Sequence, residues 1–93
     1  MTDRQKLWML IESLIKGKIG ITDFCDDFVV AYNLKTDYDE LSEEEHLAFR
    51  ELNTTAARFT EFEEDLVKYP NVYYSENDVR EEAKKVYVQF HKS

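Results

Sequence analysis

An all-α fold, an antiparallel four-helix bundle in one domain spanning residues 1–93, is predicted by three features of the sequence. Apolar residues recur at spacings of three and four along four separate segments. Two of those segments follow a serine that has an acid three residues on, the signature of a reciprocally capped helix start. Two glycines and one proline in 93 residues are too few for the many tight turns of an all-β chain.

The first helix carries Leu7, Leu10, Ile11, Leu14 and Ile15 on one face, runs from near Asp3, and stops at Gly17. The second opens at Thr22 as N-cap and aligns Phe24, Phe28, Ala31 and Tyr32, with Cys25 and Val29 beside them, fading over Asn33 to Thr36. Ser42 and Glu45 form the capping box of the third, which turns Ala48, Leu52, Thr55 or Ala56, and Phe59 inward. The small pair Ala56-Ala57 permits close helix approach. A short helical turn is expected from Phe62 to Lys68, stopped by Pro70. Ser75 and Asp78 cap the fourth long helix, whose inner face is Val79, Ala83, Val86, Tyr87 and Phe90. Trp8 is expected at or near the core.

A chain of this length holds one modest core, burying roughly 60–65% of its unfolded surface. At 43% hydrophobic and 14% aromatic it has the material to fold. Its single cysteine, Cys25, excludes an intramolecular disulfide and makes a reducing compartment such as the cytoplasm the simplest expectation. Cys25 itself is expected to be a buried structural thiol. The N-terminal stretch lacks the long apolar core of a signal peptide, and no apolar run approaches the ~20 residues that cross a bilayer.

The formal net charge of −8 argues against nucleic acid and anionic membranes as direct partners and fits a basic protein. An ordinary acidic soluble protein carries the same charge, and part of the acidity has a structural reading. Asp23, Asp26 and Asp27 lie near one helix start, and Glu43, Glu44 and Glu45 at another, where they oppose the helix dipole. Successive helical residues point in different directions, so these runs are poor metal cages and read as solvated faces. No catalytic residue, metal or cofactor is expected. His46 and His91 lie far apart on different helices without a ligand spacing, and Gly17-Lys18-Ile19-Gly20 is no phosphate loop.

The stretch after the third helix fits no regular helix face. Glu61, Glu63, Glu64 and Asp65 cluster there next to aromatics, and the stretch runs on to Tyr69, Tyr73, Tyr74 and Glu76. Tyrosines are rigid amphipathic anchors, and carboxylates can stand where a nuclease holds phosphates. Tyrosines covering the end of a bundle, with the acids solvated, explain the same pattern.

The order of features resembles the colicin D type of immunity protein, including related bacteriocin and contact-dependent-inhibition immunities. The resemblance covers about Leu10 to Phe90. It rests on Leu14-Ile15-Lys16-Gly17-Lys18-Ile19 followed by Thr22-Asp23-Phe24, on Asp39-Glu40-Leu41-Ser42, and on Ala56-Ala57-Arg58-Phe59 before an acidic, aromatic linker and a last helix. It implies a non-enzymatic four-helix protein that binds and blocks the active site of a cognate cationic nuclease toxin, a tRNase, with an acidic surface. The toxin-binding candidates are Glu61, Glu63, Glu64 and Asp65, which the resemblance implies, together with Tyr69, Tyr73, Tyr74 and Glu76, which the mixed acidic and tyrosine-rich stretch itself suggests. Asp37, Asp39 and Glu40 are secondary candidates. Ala57 and Thr60 stand where the family pattern calls for an acid, so the acids carry over as a group. A reading from another class is an adaptor bundle presenting a groove to a partner helix, favoured if Leu66, Val67 and Val72 are exposed.

Overall fold

Leu7, Leu10, Ile11 and Leu14, buried along one face, define helix α1 (Asp3–Ile15). A computed structural model of the chain describes residues 3–35, Asp39, 41–69 and 72–91. Gly17 follows α1 at φ +73°, where nothing lies within 4 Å of an added Cβ. Glycine is needed there for its backbone freedom and not for space.

Helix α2 (Ile21–Val30) begins one residue before the expected Thr22 cap. Gly20, in extended geometry, is the N-cap, and its carbonyl accepts from the Phe24 amide at 3.0 Å. Glycine is an acceptable N-cap, and starting there lets Ile21 pack against the core while Thr22 stays exposed. Without a break, α2 widens into a π-helical turn, Ala31–Lys35. The Phe24, Phe28 and Tyr32 rings stack in sequence along this unit, 5.4 and 6.3 Å apart.

Helix α3 (Glu43–Ala57) has the Ser42–Glu45 capping box in full, and α5 (Glu76–Phe90) has its Ser75–Asp78 counterpart. Both boxes close within four residues, so local sequence suffices to specify them. The inner face of α3 adds Phe49, fully buried, to the expected Ala48, Leu52 and Ala56. Ala57 is exposed, so only the first of the small pair lies at the interface. Short α4 (Glu63–Lys68) buries no residue.

Glu45 departs from the expectation of a solvated acidic run. Glu43 and Glu44 are exposed, whereas Glu45 is 4% exposed. The Arg4 guanidinium and the Trp8 indole, one helical turn apart on α1, both reach it and repay its lost hydration.

The chain is all-α: five α-helices, and β structure limited to one bridge among the described residues. The core joins α1, α2, α3 and α5, with α1 and α3 each packed on α2 and on α5. Trp8 sits at its edge with its ring edge-on to Phe49 and Phe90, at 5.0 and 5.4 Å. No helix among the described residues is long and apolar enough to cross a membrane.

Candidate functional site: a clamped acidic excursion

Between α3 and α5 the chain makes an excursion whose two ends are held together. The Thr60 amide donates to the Tyr74 carbonyl at 2.9 Å, and the Tyr74 amide donates to the Arg58 carbonyl at 2.9 Å. These bonds form a parallel bridge between Phe59 and Tyr74. Phe59 packs against the core, so the bridge anchors the excursion to the helices.

Inside the bridge, Thr60 organises the start of α4. Its buried hydroxyl accepts from the Phe62 amide at 3.1 Å and donates to Asp65 Oδ2 at 2.9 Å. Asp65 is thereby committed to the excursion's own structure. Glu63, Glu64 and Asp65 all fall in the first turn of α4, where the helix dipole favours negative charge.

The outer surface of the excursion is acidic and apolar together. Glu61, Glu63 and Glu64 are exposed, and so are Phe62 at 63% and Val67 at 76%. Tyr69 and Tyr73, both exposed, meet edge to face at 5.9 Å. The Lys68 ammonium lies 5.6 Å over the Tyr69 ring. From Thr60 to Tyr74 the sequence carries four carboxylates against one lysine.

The toxin-binding candidates therefore fall into three places. Glu61, Glu63 and Glu76 border a cavity of about 220 Å³ that is floored by Ile21, Phe59 and Leu66. Tyr69 and Tyr73 form their own pair, with Glu64 exposed on α4. Tyr74 is half-buried and lines shallow grooves between α3 and α5 with Thr55 and Glu82. Glu76 is not a free acid, since Arg80 Nε donates to it at 2.7 Å. Of the secondary candidates, Asp39 is exposed in the connection before α3, outside the excursion, and Asp37 and Glu40 lie outside the described residues.

Two features of this site were not anticipated. The short helix expected from Phe62 to Lys68 is present as α4, with Phe62 as its N-cap residue, but the Phe62 side chain is largely exposed. The Thr60–Asp65 pair had a weak signal, a hydroxyl residue shortly before an acidic helix start.

Elsewhere the reactive groups are accounted for structurally. Burial, with Asp26 adding to it, pushes the Cys25 thiol up to about 12, leaving it unreactive near neutral pH. His91 stacks on Tyr87 at 4.3 Å and meets the Trp8 edge at 4.9 Å, and the Tyr32 hydroxyl lies 3.4 Å from His46 Nδ1. No group of three His, Cys, Asp or Glu among the described residues is placed to hold a metal ion.

Comparison with protein-family models, with curated proteins and with solved structures yields no match for this chain.

Proposed function

We propose that this chain is an immunity protein of the colicin D type, which neutralises a cognate cationic nuclease toxin, a tRNase, by binding its active site. The observation that carries the reading is the clamped excursion. It exposes Glu61, Glu63 and Glu64 and, within the same stretch, Phe62, Tyr69 and Tyr73, on a loop whose ends are bridged. Negative charge next to rigid aromatic area is what a basic cleft that binds phosphates would accept.

In this reading the four long helices form an antiparallel bundle that serves as scaffold, and the protein acts by occupancy in the cytoplasm, without catalysis. The neighbour relations of α1, α2, α3 and α5 support that arrangement.

The test is a tRNase toxin domain whose lethality the chain suppresses on co-expression. Reversing charge with Glu63→Lys and Glu64→Lys together should weaken binding at least about tenfold, since each acid facing a basic cleft supplies on the order of 1 kcal/mol or more. Helical circular dichroism should be unchanged. Unchanged affinity by calorimetry would remove both residues from the interface. Association should slow as salt rises.

A second reading, the adaptor that receives a partner helix, draws on the exposure of Val67 and Val72. Leu66, only half-exposed, lines the cavity floor instead. Binding that is insensitive to salt would favour the adaptor.

A further inference from the structure

We propose that the cavity between the start of α2 and the base of the excursion receives one arginine side chain of a protein partner. The inference rests on the reading that the excursion faces a basic protein, and it adds the side chain and its seat.

The lining is amphipathic in the order an arginine requires. Ile21, Phe59 and Leu66 supply an apolar floor for an aliphatic stem, and Ile21 and Phe59 are themselves held by the core. Glu61, Glu63 and Glu76 stand around it, and among the described residues no basic one contributes to the lining. Glu76 already accepts one guanidinium, that of Arg80, from outside the cavity. Glu61 and Glu63 make no side-chain hydrogen bond or ion pair among the described residues, so their charge is left for an incoming cation.

Size and charge favour a long basic side chain over the other occupants. A volume of about 220 Å³ equals a cube about 6 Å on a side. An α-helix is roughly 10–12 Å across with its side chains, so the space within the lining matches one long side chain rather than a whole helix. An apolar side chain would desolvate the carboxylates without compensation, and an acidic one would be repelled. Between the two bases, arginine is less strongly hydrated than lysine, tolerates the apolar floor, and can bridge two carboxylates with its planar fork.

The experiment is an amide-resolved NMR titration of the full chain with N-acetyl-arginine methylamide, run beside the lysine and norleucine analogues. Arginine should give saturable shifts at Ile21, Thr60, Glu61, Leu66 and Ser75, with lysine weaker and norleucine without effect. The pair Glu61→Gln and Glu63→Gln should weaken arginine binding at least about threefold, the scale of two partly exposed ion pairs. The same change at Glu43 and Glu44, away from the cavity, should leave it unaltered. No saturable shift at these amides, equal shifts with norleucine or lysine, or undiminished binding in the E61Q/E63Q variant would overturn the proposal. The titration contains no toxin, so the two readings can fail separately. Loss of toxin affinity in the charge-reversed chain without an arginine response keeps the immunity reading and retires the cavity. An arginine response without toxin affinity does the reverse.

Discussion

Trp8 Nε1 donates to Glu45 Oε2 at 2.7 Å, joining α1 to α3 across 37 positions of the chain. The same carboxylate accepts from Arg4 Nε at 2.8 Å and from the Ser42 amide at 3.1 Å. One side chain therefore closes the cap of α3 and fastens it to α1. The contributions differ in kind. Arg4 is half-exposed and regains water when the pair is broken, whereas the Trp8 N–H and the buried carboxylate have fewer alternatives.

The order of destabilisation should follow from that difference. Glu45→Ala loses the cap and strands the Trp8 donor, for about 2–4 kcal/mol, and Trp8→Phe removes one donor to a buried charge, for about 1–3 kcal/mol. Arg4→Ala should be the mildest, at about 1 kcal/mol or less. Urea denaturation of the three variants measures the ranking, and an Arg4 variant worse than Glu45→Ala would contradict it.

Acid should act through the same residue. Burial by itself would raise the Glu45 carboxyl, but hydrogen bonds from Arg4, Trp8 and the Ser42 amide outweigh it and hold the group below its ordinary 4.5. A depressed folded value means the unfolded chain binds the proton first, so this contribution is complete above 4.5 and is lost as pH falls from there through the folded value. Stability of the Glu45→Gln variant, lower overall, should therefore vary less with pH below that point than the parent's. Glu12, lowered by its hydrogen bond from Lys16, has a side chain about half in solvent where water and salt screen the pair, and Glu12→Gln should leave the acid limb nearly unchanged at physiological salt. Denaturant midpoints at about pH 7 and about pH 3.5 distinguish the two.

The excursion should loosen without unfolding when Thr60 is changed to Val. The variant keeps the buried volume but loses the acceptor for the Phe62 amide and the donor to Asp65. Expected is a stability loss of about 1–2 kcal/mol and faster hydrogen exchange at the Asp65 and Tyr69 amides, with the amides of α3 and α5 unaffected. Exchange at Asp65 and Tyr69 as slow as in the parent would show that the bridge to Tyr74 alone fixes α4.

The resolution of these features in the sequence follows their range. Ser42 with Glu45, and Ser75 with Asp78, act within one turn, so a serine and an acid at the right spacing identify both helix starts. Leu7, Phe24, Leu52 and Val79 each lie on a stripe of helical period, and all four are buried. The start of α2 was displaced because two adjacent turns of chemistry compete there, and packing of Ile21 decides between Gly20 and Thr22. Phe49 was missed because it lies beside the Ala48 and Leu52 stripe and is drawn in by the Phe28 and Trp8 rings, which belong to other helices.

By itself the sequence determined the helical class, the two capped starts, most of the core and the location of the acidic, tyrosine-rich stretch, because each depends on neighbours a few residues away. Only the tertiary structure decided which acids do what. Glu45 is internal because Arg4 and Trp8 come to it from α1, Asp65 is held by Thr60 within a loop that the Phe59–Tyr74 bridge closes, and Glu61 and Glu63 are left facing a cavity floored by three separate segments. A carboxylate's role depends on the donors and the solvent around it, and those are set by chain segments far away in sequence.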